Sequence, residues 1–297
     1  MIDFFKASIV CGVLTTCLLL GACQADQKRR SSGNSDEFGH YIHVAHTRMM
    51  DTVTQVVDPR IEKIDYDQFD MVLLGGDLCE ESSKRYDILE YLDGVFNLDA
   101  PTTLWALGNH DNARMDFVEK ATGRPYIYSY NRNDITYVIL YTQEKEDWIC
   151  TITGEQMDLI RSVTDTIQES SHLVVMTHKL IWLWNNPEFA EHVGKEKYDW
   201  SSNYKMYRNG WKSEILPLLR KVMDRGIQVI ALAGDVGNYV NEFEERTSDG
   251  IYYLASGNNP DNKKAKFLHF RHHLPSGMLS WKFEPLEAFL KNGQRLD

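Results

Sequence analysis

The sequence predicts an α/β domain, and three observations carry that prediction. The runs Met71 to Leu74, Leu104 to Leu107, Leu173 to Met176 and Val229 to Leu232 are short, continuous and aliphatic, as strands buried on both faces are. Segments with apolar residues at helical spacing lie between them. Each run passes directly into a polar cluster: Gly75-Gly76-Asp77, Gly108-Asn109-His110-Asp111, Thr177-His178 and Gly234-Asp235-Val236-Gly237. That shared placement puts the polar residues at one sheet edge, where open α/β folds hold their ligands.

The elements follow in order from the N-terminus. Lys6, an apolar run from Ala7 to Leu20 and the closing Leu20-Gly21-Ala22-Cys23 read as an export signal, because the run is shorter than the roughly 20 residues of a membrane span. Leu-Gly-Ala-Cys resembles the lipobox of bacterial lipoproteins. It implies removal of residues 1–22, lipidation of Cys23 and a protein held at a membrane of the bacterial cell envelope, on the periplasmic face or the outer surface. Residues 23–37 are polar, carry Lys28-Arg29-Arg30 before a serine-rich stretch and show no apolar period, which predicts a flexible tether. The folded domain is expected over 38–290.

Within it, Tyr41 to Val44 is a weaker strand preceding His46-Thr47-Arg48. Ile88, Leu92 and Val95 mark one helix. Met157, Ile160, Thr164 and Ile167 mark another, with Thr153 and Gln156 as a candidate capping box. Ile215, Leu219, Val222 and Met223 mark a third that stops before Gly226. From Ile251 onward, Ile251 to Leu254, Phe267 to Phe270 and Met278 to Phe283 predict strands of a second, more antiparallel sheet. The aromatic stretch from Trp182 to Trp211 reads as a loop or small cap packed on the core. Cys79 and Cys150 are the cysteines of the domain; an oxidising envelope permits a bridge, and two buried thiols fit the sequence as well. A formal charge of -11 with no basic stripe argues against a nucleic-acid binder. A small or medium phosphorylated substrate stays compatible, since a metal ion supplies local positive charge.

In order, context and approximate spacing, Asp77, Gly108-Asn109-His110-Asp111, His178 and the Gly234 loop resemble the calcineurin-like metallophosphoesterases over roughly residues 38 to 285. The resemblance implies an α/β/β/α sandwich of two mixed sheets flanked by helices. It also implies two metal ions sharing an aspartate, and in-line displacement at phosphorus. Carried over residue by residue, Asp77 takes the shared position, and Asn109 and His178 match ligands of the second metal. His110 matches the histidine that assists the leaving oxygen, with Asp111 expected to orient its ring through a hydrogen bond.

Two blocks depart from the family. Its Asp-x-His block reads His46-Thr47-Arg48 here, and a guanidinium has no lone pair for a metal. Its Gly-His-x-His block reads Gly234-Asp235-Val236-Gly237, so the final first-metal histidine is missing. Neutral His46 plus Arg48 carries the same single positive charge as a divalent ion held by a carboxylate and two imidazoles. Arg48 is therefore expected to fill the space of the first metal and grip a phosphate oxygen. The second position keeps Asp77, Asn109, His178 and Asp235, an oxygen-rich set that favours one divalent ion, Mn²⁺, Mg²⁺ or Fe²⁺, with Zn²⁺ also accommodated. The function expected is an envelope-anchored hydrolase of phosphomonoesters or phosphodiesters. The alternative is a binding or regulatory lipoprotein that retains the fold without turnover.

Overall fold

The computed structural model describes residues 37–143, 150–183, 186–192, 210–236, 242–258, 260 and 265–290. Cys23, the tether and Gly237 lie outside the described residues. The chain from Phe38 onward is one structural unit.

One sheet holds β1 (Phe38–Val44), β2 (Met71–Leu74), β3 (Thr103–Trp105), β10 (Lys266–His273) and β11 (Met278–Pro285), in the order β11-β10-β1-β2-β3. The other holds β4 (Tyr128–Arg132), β5 (Ile135–Ile139), β6 (His172–Thr177), β7 (Gln228–Ala233), β8 (Glu242–Arg246) and β9 (Tyr252–Ser256), in the order β4-β5-β6-β7-β9-β8. β1, β2 and β3 run parallel, as do β5, β6, β7 and β9, while antiparallel strands complete each sheet. Both sheets are mixed, as expected.

Strand periodicity explains the layers. Successive side chains point to opposite faces, so Val72 and Leu74 meet Ile88, Leu92 and Phe96 of α1 (Tyr86–Phe96), while Leu73 faces the other sheet. In β6, Leu173 and Val175 pack under Met157 and Ile160 of α3 (Gly154–Thr166) and Leu219 and Val222 of α4 (Leu216–Met223). Val174 and Met176 join Tyr41, Leu73, Tyr137, Ile230, Leu254 and Phe270 between the sheets. With α2 (Met115–Thr122) on the α1 side, the layering is α/β/β/α.

Two expectations change, and one open choice is decided. The strands after Ile251 form no sheet of their own: β9 extends the second sheet beside β7, and β10 pairs antiparallel with β1, from Phe38 opposite His273 to His43 opposite Leu268. Thr153 precedes α3 but makes no side-chain cap bond: the Gln156 N–H donates to the Thr153 carbonyl at 3.1 Å, and the Gln156 side chain accepts from the Tyr141 N–H at 2.7 Å and donates to its carbonyl at 2.7 Å. Cys79 and Cys150 are buried thiols and not a disulfide, in separate clusters on opposite outer faces of the two sheets. Trp182 and Trp211 behave as expected of core aromatics, packing on each other at 5.8 Å and on Tyr253 at 5.4 and 6.3 Å.

Candidate metal centre

The carboxyl ends of β1, β2, β6 and β7, with the segment that follows β3, meet at one edge, and glycines let them meet closely. A Cβ on Gly75 would lie 2.6 Å from both Ala45 Cβ and His43 Nε2, and one on Gly108 would lie 2.1 Å from Asp77 Oδ1. Two non-glycine residues there adopt left-handed backbone, His46 at φ 52° and Asp77 at φ 55°. Such conformations cost about 1–3 kcal/mol each and persist only where the surroundings fix them. Here the His46 N–H donates to Gly76 O at 2.8 Å and the Asp77 N–H to Asp111 Oδ2 at 2.7 Å.

Asp77 Oδ2 is the point of convergence. His178 Nε2 lies 3.3 Å away, Arg48 Nε 3.8 Å and His46 Nε2 4.0 Å. The other oxygen accepts the His110 N–H at 3.1 Å. Both imidazoles are aimed by backbone carbonyls: His178 Nδ1–H donates to Gly75 O at 2.7 Å and His46 Nδ1–H to Asn258 O at 3.2 Å. In each ring that leaves Nε2 toward the aspartate, the usual arrangement of a ligating histidine. Asp235 brings Oδ1 to 3.5 Å from His178 Nε2, while its Oδ2 accepts from Lys179 Nζ at 2.9 Å.

The buried charges of the centre stabilise one another. Burial would raise the Asp77 carboxyl, yet His178, His110 and Lys179 hold it well below the usual range. Burial would favour a neutral His178, yet Asp77 and Asp235 push its pKa up. Against its burial, Asp235 is drawn down to about 2 by Lys179 and His178. His46 goes the other way, lowered by burial to about 4 against the pull of Asp77 and Asp235, which keeps its ring neutral.

The residues present fit a divalent cation. Asn109 Oδ1 is a buried polar atom without a hydrogen-bond partner among the described residues, which a protein interior rarely tolerates. Ligand atoms of His46, Asp77 and Asp235 lie within 4.8 Å of one another. Carboxylates, an amide oxygen and imidazoles are ligand types that divalent ions take. His178 Nε2 stands 3.3 and 3.5 Å from the two carboxylates, so Asp77, His178 and Asp235, with Asn109 Oδ1 as expected from the sequence, could hold it. His46, expected as a remnant of the other position, belongs to the same cluster.

Two assigned roles change. Asp111 does not orient His110: its carboxylate accepts from the N–H groups of Asp77, Gly108 and Leu78 at 2.7, 2.8 and 3.1 Å and from Ser82 Oγ at 2.5 Å. The His110 ring is held instead by Nδ1–H donating to Glu80 O at 2.7 Å. Arg48 is not an unaccompanied positive charge, because its Nη1 is paired with the Glu80 carboxylate. The charge count that equated Arg48 with a ligated metal omitted that partner.

Glu80 and Lys179 were not singled out from the sequence, although each had a signal: Glu80 lies in the loop that carries Asp77, and Lys179 follows His178. Asn258 had none. It is fixed by its N–H donating to Ala45 O at 2.8 Å and its Nδ2 donating to buried Asp58 at 2.9 Å, with Asp58 in turn gripped by Arg60.

Beneath the centre, His43 is fully buried with Nδ1 2.7 Å from Ser256 Oγ. Burial, reinforced by His178, pushes its pKa down to about 3. The unfolded chain takes up this proton near the ordinary value of about 6.5 and the folded chain does not, so its contribution is intact above that pH and is lost as pH falls toward 3. Between pH 6.5 and 4, urea unfolding of His43→Gln is expected to lose stability less steeply than wild type, by about 1.4 kcal/mol per pH unit. Equal slopes would show that His43 is protonated in the fold.

A profile of the calcineurin-like phosphoesterases matches residues 42–208. No curated protein sequence matches the chain. Among solved structures, a dimetal phosphatase from Danio rerio is similar at 13% identity and TM-score 0.49, covering 84% of this chain and 96% of its own. Vacuolar protein sorting 29 from Cryptosporidium parvum is similar at 9% identity and TM-score 0.39, covering 83% and 97%. A 5'-nucleotidase precursor from Thermus thermophilus is similar at 12% identity and TM-score 0.44, covering 86% of this chain and 56% of that one. The profile spans over half of the chain and runs through His46, Asp77, Asn109, His110 and His178; the chain belongs to the calcineurin-like phosphoesterase family.

Proposed function

We propose that the protein hydrolyses phosphomonoesters or phosphodiesters at the Asp77 centre with one divalent cation. The observation that carries this reading is the convergence of His178, His46 and Arg48 on Asp77 Oδ2, with Asn109 Oδ1 buried and without a partner among the described residues. A cation held by Asp77, Asn109, His178 and Asp235 would supply Lewis acidity toward a phosphoryl oxygen and lower the pKa of water. The protein's own groups do the rest. Arg48, steadied by Glu80 and facing Asp77, would direct its guanidinium toward an anionic oxygen at the centre. His110, with Nδ1–H committed to Glu80 O, presents Nε2, which in the imidazolium form would hand a proton to a departing oxygen. Lipidated Cys23 would hold the domain at a membrane of the cell envelope.

One observation favours the second reading, a fold retained for binding without turnover. Arg48 and Lys179 are both already matched by carboxylates, Glu80 and Asp235, which reduces the field available to a phosphate. Metal analysis of the purified full-length protein, with phosphomonoester and phosphodiester assays in Mn²⁺, Mg²⁺, Fe²⁺ and Zn²⁺, decides between them. The hydrolase reading expects one ion per chain and turnover that chelation abolishes and added metal restores. Two ions per chain would overturn the single-cation reading, and a tightly bound ion without turnover would establish the second. Cys23→Ser should move the protein from the membrane to the soluble fraction; retention on membranes would remove the anchor.

A further inference from the structure

We propose that Lys179 is a positioning residue that sets the charge of this centre, and that Asp235 serves as a single-oxygen ligand because Lys179 occupies its other oxygen. The proposal rests on the metal reading given above. The two side chains are 15% and 13% exposed, and Nζ lies 2.9 Å from Oδ2, so the pair is largely withdrawn from water. Their backbones are tied together as well. The N–H groups of Gly234 and Asp235 both donate to His178 O, at 3.0 and 2.9 Å, and Thr177 Oγ1 donates to Lys179 O at 3.0 Å. Neither residue can drift from the other without breaking the join between β6 and β7.

Geometry then sorts the two oxygens of Asp235. Oδ2 faces the ammonium, and Oδ1 faces His178 Nε2 at 3.5 Å. The charges favour the same arrangement. Arg48 and Glu80 cancel, so Asp77 and Asp235 together just neutralise a divalent ion, and Lys179 leaves the loaded centre with one positive charge. A neutral imidazole at position 235 without the lysine would leave the same net charge. An imidazole at 235 with the lysine retained would leave a largely buried, unmatched ammonium next to the cation, which is strongly unfavourable.

The test is a double-mutant cycle on the full-length protein, read as Mn²⁺ affinity by calorimetry and as melting temperature without metal. Asp235→His alone should weaken Mn²⁺ binding at least about tenfold, equivalent to roughly 1.4 kcal/mol, and should lower the metal-free melting temperature. Adding Lys179→Met to Asp235→His should restore affinity to within about threefold of wild type and recover part of the melting temperature, a coupling that independent sites do not show. Lys179→Arg, which keeps the charge, should stay near wild type. Additive effects in both readouts would overturn the pairing. If the wild type binds no Mn²⁺, the metal reading and the charge-setting role fall together, and the metal-free cycle still separates a coupled pair from an uncoupled one.

Discussion

Asp77→Asn is expected to abolish the rise in melting temperature that Mn²⁺ gives the wild-type protein and to lower phosphoester turnover by about three orders of magnitude. The size follows from position. Asp77 is 2% exposed and its Oδ2 is where both imidazoles and the Arg48 guanidinium converge. A ligand that binds only the folded state at a hundred times its dissociation constant stabilises by about 2.7 kcal/mol, and an amide in place of the central carboxylate removes the charge that holds the cation. A metal contribution of several kcal/mol to the transition state translates to about a thousandfold in rate. The melting experiment needs no substrate, so it tests the centre even before a substrate is known. A variant that still gains the wild-type shift with Mn²⁺ would place the cation elsewhere, and undiminished turnover would take the reaction away from this edge.

How much of this was legible in the sequence differs between backbone and side chains. Strand-to-loop transitions place the residues that follow them whatever the side chains do later, so Asp77, Asn109, His178 and Asp235 could be assigned to one edge from the runs before them. The glycines of those clusters carry the same information, because Gly75 and Gly108 are needed where two backbones or a carboxylate come within contact distance. Hydrogen-bond choice was not legible. Asp111 follows His110 in sequence, which suggested a ring partner, but the turn directs its carboxylate inward, toward three N–H groups and a hydroxyl supplied by other segments. Arg48 and Glu80 are 32 residues apart, and nothing local announces their pairing. The C-terminal strands failed for a related reason: periodicity identifies a strand but not its neighbour, and β10 finds β1 across most of the chain.

The altered role of Asp111 yields the second large effect, one on stability rather than on chemistry. Asp111→Ala should lower the unfolding free energy by about 3–5 kcal/mol, because removal of a fully buried carboxylate leaves the N–H groups of Asp77, Gly108 and Leu78 and the Ser82 hydroxyl without their acceptor. Each unsatisfied buried donor costs about 1–3 kcal/mol, and partial relaxation or entry of water keeps the total below the simple sum. The carboxyl itself is disfavoured as an anion by burial and by the charge of Asp77, both of which raise its pKa, so part of the loss is returned when it is removed. Asp111→Asn retains acceptor capacity through one oxygen but places an amide NH₂ against donors, and should fall between alanine and wild type. Urea unfolding of the metal-free protein measures both variants. The alternative, in which Asp111 orients the His110 ring, makes a different demand: normal stability with turnover reduced as in His110→Ala. Stability unchanged in Asp111→Ala would show that the four donors find other partners and would return the residue to that catalytic role. A loss of several kcal/mol would identify Asp111 as the acceptor that holds the Asp77 loop in its left-handed turn, and so as the reason the ligand at the centre points where it does.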